Sequence, residues 1–199
     1  FDVLVKIIEI VSETDYLEFL TKEIFEPCGM KNTTFIPTPE QWKATIAMHN
    51  RIDGKSCNEK MIEDRVFSFF PGKHYLGGAG LVSTLDDYSK FAKMLLNKGK
   101  TPKKQILSEE TFRLLHTPFV PEEIMPSNER WGLGVRVITD ERHWLPVTTF
   151  GWSGAYGSHF WVDPVNKITA VYMKNSRYDG GAGSQTSIHF EQDVYACLE

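Results

Sequence analysis

Phe150-Gly151-Trp152-Ser153-Gly154-Ala155-Tyr156-Gly157, running on into Ser158-His159-Phe160-Trp161-Val162-Asp163-Pro164, decides how the C-terminal half of the chain is read. The first stretch is a strand that ends in three glycines around a serine, so its backbone can approach a ligand closely and present free N–H groups. The plainer alternative is a glycine-rich turn with an incidental serine. Gly151-Trp152-Ser153-Gly154-Ala155 nearly matches G-x-S-x-G, but a nucleophile elbow needs strand, turn and helix. Here the next segment alternates like a strand and ends in proline, and Ala155 replaces the motif's last glycine. Ser153 is therefore not read as an elbow nucleophile.

The same period of two extends to both sides. Trp131 to Ile138, Pro146 to Gly151, Ser158 to Val162 and Ile168 to Lys174 read as four strands. Asp163-Pro164-Val165-Asn166-Lys167 is a tight connection, which makes the last two a hairpin. A final helix from Ser184 to Leu198 carries Ile188, Val194 and Leu198 on one face. Before Pro126 the rhythm is helical. Val3, Leu4, Ile7, Ile8 and Val11 follow the spacing of a buried helix from Asp2 to Val11, and a second helix, Tyr16 to Ile24, buries Phe19, Leu20 and Ile24 until Pro27 stops it. Residues 35–76 look irregular. Gly77-Gly78-Ala79-Gly80 leads to a helix through Asp86, Tyr88, Phe91, Met94 and Leu95, capped by Ser83 or Thr84, and another runs from Ser108 to His116. Helices first, then an antiparallel meander, then a helix give an α+β fold, an antiparallel sheet packed against helices. Residues 1–125 form a helical and loop region, and residues 126–199 hold the strands and the last helix.

Composition narrows the function. The 199 residues are 41% hydrophobic and 24% charged, which fits a globular protein and excludes disordered, collagenous and coiled-coil classes. A net charge of −4, with no Lys/Arg stripe, argues against nucleic acid as a partner. No apolar run approaches the roughly 20 residues of a membrane span, and no signal peptide opens the chain. The three cysteines, Cys28, Cys57 and Cys197, form no CxxC pair and leave one unpaired, which points to a reduced compartment or to incidental thiols. The apolar helical rhythm is already under way at the first residues with no cap before it, so a longer parent protein is expected. Leu198-Glu199 reads equally as a remnant ahead of a lost tag or as a natural end.

Other candidate chemistry is weak. Gly77-Gly78-Ala79-Gly80 lacks the lysine of a phosphate loop. His49, His74, His116, His143, His159 and His189 show no HExxH or i, i+4 spacing, so no metal site is expected. Glu109-Glu110 and Glu122-Glu123 read as solvated surface, Lys73-His74-Tyr75 as loop, and the Cys57-x-x-Lys60 spacing as chance.

Three stretches together resemble the serine β-lactamase and penicillin-binding-protein-like family, in particular its esterase and D-aminopeptidase-like branch. One runs from Phe1-Asp2-Val3-Leu4 to Ile24-Phe25-Glu26-Pro27-Cys28-Gly29-Met30, similar to the family segment that ends in Pro-Leu-Gly-Met, with Cys28 in place of leucine. The second is Gly77-Gly78-Ala79-Gly80-Leu81-Val82-Ser83-Thr84 with Asp87-Tyr88, Phe91 and Leu95-Leu96-Asn97. The third is Gly151 to Gly157 running into Phe160-Trp161-Val162-Asp163-Pro164. They occur in family order along nearly the whole chain.

The resemblance implies an acyl-serine hydrolase in which S-x-x-K supplies nucleophile and base, Y-x-N or Y-x-S shuttles protons, and a K-T-G, H-x-G or W-x-G motif lies on a strand beside the serine. Trp152-Ser153-Gly154 matches the third motif. The backbone N–H of Ala155 is then an oxyanion donor, Ser153 hydrogen-bonds the substrate or a neighbouring motif, and Trp152, Gly154 and Tyr156 line the substrate. Tryptophan in place of lysine removes a cation that would hold a carboxylate and tilts the substrate towards neutral esters or amides. None of the twelve serines has lysine three residues later, and the tyrosine motif, which the resemblance puts just before Phe1, is missing from the chain; Tyr88-Ser89-Lys90 resembles one only superficially. The implied fold is thus a partial β-lactamase/transpeptidase-like one, lacking the N-terminal strands and nucleophile helix, with both halves belonging to one larger catalytic domain. The chain alone is expected to be inactive. Its partner is a small acyl substrate (ester, amide or β-lactam-like), it needs no cofactor, and an exposed sheet edge is expected to pair with another copy or an N-terminal fragment. A non-catalytic binding module for peptide or cell-wall fragments, and a structural interaction domain, are the rival expectations; the compartment stays open.

Overall fold

The computed structural model describes residues 1–52, 55–59, 75–124, 127–176 and 178–198. Its helices start where the sequence supplies side-chain acceptors for the free N–H groups of a first turn. Helix α1 spans Asp2–Ser12 and α2 spans Tyr16–Leu20, the latter capped by the Asp15 carboxylate, which accepts from the Leu17 and Glu18 N–H groups. A π-helical turn, Thr21–Phe25, follows and leads into a single turn, α3, at Glu26–Cys28. Pro27 thus does not stop the helix. The widened turn moves the Glu26 N–H to the Thr21 carbonyl and sets Pro27 at the start of a new turn, where its missing N–H is tolerated.

The stretch expected to be irregular contains α4, Pro39–Ala44, with a reciprocal Thr38/Gln41 capping box, and a hairpin of β1, Met48–Ile52, and β2, Lys55–Glu59. Its two strands are polar and do not alternate, which hid them from a hydrophobic pattern. Lys60, Lys73 and His74 lie outside the described residues. Helix α5, Leu85–Leu96, is capped by Thr84 rather than Ser83, and α6, Glu109–Leu115, by Ser108.

The second half forms a five-stranded antiparallel sheet in sequence order: β3 Glu129–Trp131, β4 Arg136–Ile138, β5 Phe150–Ser153, β6 His159–Asp163 and β7 Ile168–Tyr172. The segment expected as one strand, Trp131 to Ile138, is two. The chain reverses at Gly134, φ 78°, and a Cβ on Gly132 would overlap the Leu115 carbonyl. The strand expected from Pro146 begins only at Phe150, because Thr149 closes a turn on the Pro146 carbonyl and Thr148 holds φ 77°. The β6–β7 hairpin is as read: Asp163 accepts from the Val165 and Asn166 N–H groups at 2.8 and 3.0 Å. Among the described residues β7 pairs with β6 alone and is an edge of the sheet.

Each face of the sheet receives a helix. Phe150, Phe160 and Val162 join Ala92, Met94 and Leu95 of α5 and Phe112 of α6 in the main core. On the other face lies α7, Gln185–Ala196, where Phe190 meets Trp161 edge-on at 5.6 Å and Tyr195 donates to Asp163 at 2.6 Å. The buried residues of α7 are Ser187 and Glu191, not an apolar stripe ending at Leu198, which is 55% exposed. Helix α1 departs further from expectation. Only Val5 is buried, while Val3, Leu4, Ile7 and Val11 are exposed, because no described element covers that face.

Candidate functional site

Strand β5 ends at Ser153, and the turn from Gly154 to Ser158 returns the chain into β6. All five residues singled out from the sequence, Trp152, Ser153, Gly154, Ala155 and Tyr156, lie on this corner. Two backbone hydrogen bonds close it, Gly154 N–H to the Ser158 carbonyl at 2.7 Å and Gly157 N–H to the Gly154 carbonyl at 2.9 Å. Among the described residues the Ala155 N–H meets no acceptor, and Ala155 is exposed. Three glycines make this geometry accessible. A Cβ on Gly151 would overlap the Phe160 carbonyl, Gly157 holds φ 88°, and Gly181 packs so closely on Ala155 that a Cβ would overlap the Ala155 carbonyl.

A second segment braces the corner. The aliphatic stem of Lys174 packs against Gly157, and its ammonium gathers Asp179, the Ser184 hydroxyl at 2.9 Å and the Gly180 carbonyl at 3.2 Å. The loop that carries Gly181 is thereby tied to the end of β7 and to the start of α7.

Alternation along β5 sends Trp152 and Ser153 to opposite faces. Trp152 packs edge-to-face on Trp131, ring centroids 4.6 Å apart, and both rings stay partly exposed. Ser153 lies opposite His159 in the β5–β6 register, and its hydroxyl is 2.8 Å from His159 Nδ1. His159 Nε2 is in turn 2.7 Å from Glu191 Oε1 on α7. Glu191, 1% exposed, also receives the Trp144 indole N–H at 2.9 Å and the Arg136 guanidinium. Arg136 donates its other arm to Glu129 at 2.7 Å.

Charge and burial set the protonation states. Burial first, and the Arg136 charge second, push His159 from its ordinary value down to about 4. Hydrogen bonding from His143 and the Arg136 charge hold Glu129 below the usual carboxylate range against its partial burial. Burial lowers Arg136, and Glu129 counters that shift.

His159, Glu191, Arg136 and Trp144 were not singled out from the sequence. One signal was present: His159 alternates with Trp161 and Asp163 and so had to face inward, where a histidine needs a partner. Nothing local marked Glu191, 32 residues further on, as that partner. Among the described residues no group of three or more His, Cys, Asp or Glu side chains could hold a metal ion, and no helix is long and apolar enough to cross a membrane.

The five-stranded antiparallel sheet with helices on both faces matches part of the β-lactamase/transpeptidase-like fold. The sequence model of the Beta-lactamase family matches residues 1–190, and the chain belongs to that family. Mycobacterium tuberculosis protein Rv1367c is 26% identical over 194 residues, covering 86% of this chain and 46% of its own length. An Escherichia coli K12 protein described provisionally as a D-alanyl-D-alanine carboxypeptidase is 25% identical, covering 90% of this chain and 44% of its own length. Among solved structures, unliganded simvastatin synthase (LovD) from Aspergillus terreus superposes with a TM-score of 0.83 at 17% identity, over all of this chain and 54% of that one. EstCE1, a hydrolase with promiscuous acyltransferase activity, gives 0.78 at 19% identity, over 97% of this chain and 53% of its own. The chain thus spans about half the length of the relatives it matches.

Proposed function

We propose that this chain is the C-terminal part of a serine hydrolase of the β-lactamase-like kind, which cleaves an ester or amide through an acyl-serine intermediate. The observation that carries the reading is the corner at the end of β5, where Trp152-Ser153-Gly154 leads to an exposed Ala155 N–H with no acceptor of its own among the described residues. A donor so held, with its turn closed by two backbone bonds and braced by Gly181, suits a developing oxyanion. Trp152 and Tyr156 form the substrate-side wall, and Ser153 contributes a polar contact. The nucleophile and its base come from sequence outside this chain, because no serine here is followed by lysine at the third position. Residues 1–125 and 126–199 are then two parts of one larger catalytic domain, and the chain alone is inactive.

The free edge of β7 supports a further element of the proposal, that a strand from the rest of the protein or from a second copy pairs there. The substrate class is a neutral acyl compound, since Trp152 stands where a lysine would hold a carboxylate.

The deciding experiment is to sequence the coding region upstream of Phe1 and assay the full-length product on p-nitrophenyl esters and β-lactams. An S-x-x-K, a Y-x-N or Y-x-S close to Phe1, and ester turnover are expected. An upstream region without both motifs, or a full-length protein that binds ligands without turnover, overturns the hydrolase reading in favour of a binding module.

A further inference from the structure

We infer that Lys174 is the positioning residue of the Ala155 N–H. One side chain holds both peptides that flank Ala155, its stem through Gly157 and its ammonium through the Gly180–Gly181 segment. This deepens the oxyanion role proposed for the β5 corner and rests on it.

The turn itself sets the direction of the donor. Gly157 N–H donates to the Gly154 carbonyl at 2.9 Å, and the peptide between Gly154 and Ala155 is trans. In a trans peptide the C=O and N–H point in opposite directions, so a carbonyl turned inward to Gly157 turns the Ala155 N–H outward. Whatever fixes Gly157 therefore aims the donor. Continuing the β6–β7 register two residues beyond the His159–Tyr172 pair puts Gly157 opposite Lys174. The lysine stem fills that position, where a Cβ on Gly157 would overlap Lys174 Cε.

The second peptide, between Ala155 and Tyr156, is held from the other side. Gly181 abuts it so closely that a Cβ there would overlap the Ala155 carbonyl. The Gly180 carbonyl, on the peptide that leads into Gly181, accepts from the Lys174 ammonium at 3.2 Å. The same ammonium donates to Asp179, to the Ser184 hydroxyl at 2.9 Å and to the Thr186 hydroxyl at 3.2 Å. Asp179 is in turn tied to the start of α7 by the Thr186 N–H at 3.0 Å. An ammonium has three hydrogens, and acceptors of this chain surround all of them. The Lys174 side chain is 9% exposed, so its charge is committed to the turn and not offered to a ligand carboxylate. Lys174 touches no reacting atom and acts through Ala155.

The test follows the backbone amides of this chain, labelled with 15N, in wild type, Lys174→Met, Lys174→Ala and Asp179→Asn. Methionine keeps the stem and loses the ammonium. It is expected to leave the Gly157 amide protected from exchange while the Ala155 and Gly181 amides shift and lose order on the fast timescale. Alanine loses both and is expected, in addition, to speed Gly157 exchange about tenfold or more. Asp179→Asn keeps the lysine, removes its counter-charge, and is expected to move Ala155 and Gly181 as Lys174→Met does but less. The amides of Phe160, Trp161 and Val171 are expected to stay in place. Ala155 unmoved in Lys174→Met, or in Asp179→Asn if the lysine variants do not fold, overturns the proposal, as do changes spread evenly along β6 and β7. In the full-length protein, Lys174→Met is expected to lower kcat on p-nitrophenyl butyrate about 10- to 100-fold with KM within about twofold. An active enzyme whose kcat does not fall also overturns the proposal. A wild-type full-length protein without turnover sinks the hydrolase reading instead, and the amide shifts still decide whether Lys174 holds Ala155.

Discussion

Helices α1 and α7 are nearly equal in length, 11 and 12 residues, and opposite in what they bury. The apolar one is uncovered: Val3 is 73% exposed, Ile10 74% and Val11 79%. The polar one is inserted: Ser187 and Glu191 of α7 are both nearly inaccessible. Burial in this molecule thus follows what the chain places opposite each helix and not the apolarity of the helix itself. Opposite α7 stand His159 and Arg136, which supply donors for a carboxylate. Opposite most of α1 the described chain places nothing.

The largest effect is expected at Arg136. The guanidinium lies between Glu191 and Glu129, a buried and a half-buried carboxylate. Arg136→Met removes the cation and leaves both anions without their counter-charge, which typically costs about 3–5 kcal/mol when a buried pair is broken this way. Set against the ~5–15 kcal/mol that holds a typical domain, the variant should be largely unfolded or shifted far to lower urea in a circular-dichroism titration. A midpoint within experimental scatter of wild type would show that the α7 face is held by packing alone.

A somewhat smaller effect is expected from Gly151→Ala. A Cβ there overlaps the Phe160 carbonyl, backbone that can yield only if β5 and β6 separate. Overpacking of this kind costs about 1–3 kcal/mol, and the separation would also displace Ser153 from His159. Loss of stability together with a changed His159 ring resonance is the expected pair of results. Destabilisation with an unchanged ring signal would mean that the Ser153–His159 contact does not depend on the register of the two strands.

The pH dependence ranks third. His159 is depressed in the folded state to about 4, from an ordinary value near 6.5. Between those values the unfolded chain binds a proton that the folded chain refuses, so stability rises with pH across the window. Its contribution is fully present above about 6.5, is lost progressively as pH falls towards 4, and changes no further below that. The loss should be on the order of 1–3 kcal/mol, read from urea titrations at several pH values. His159→Gln should flatten that part of the profile, and a variant with the same slope as wild type would assign the effect to another group.

What the sequence disclosed follows the same division. The β6–β7 hairpin, the helix starts at Ser83 or Thr84 and near Ser108 and the α+β order were readable because each rests on local chemistry: an Asp-Pro-x-Asn turn, a hydroxyl before a helix, a period of two. The corner from Trp152 to Tyr156 was readable from its glycines. The contacts that join Ser153, His159 and Glu191 were not, since these residues come from three elements and only the sheet register and the seating of α7 bring them together. The exposure of α1 was hidden for the opposite reason. Its apolar spacing predicts a buried face, but a pattern within one helix carries no information on whether a covering surface belongs to the same 199 residues.

The smallest expected change in stability lies on the exposed face of α1. Ile10 and Val11 are largely exposed on α1, and their replacement by lysine removes no described packing. Ile10→Lys with Val11→Lys should move the urea midpoint by no more than about 0.5 kcal/mol equivalent, as for other surface substitutions. Its solubility should rise, because a contiguous exposed apolar face favours association. If the double variant instead loses a kilocalorie or more, and its sedimentation shifts to a smaller species at the same concentration, α1 is covered in solution by a second copy. The two helices would then differ only in where their covering surface comes from, within the chain for α7 and from a neighbour for α1.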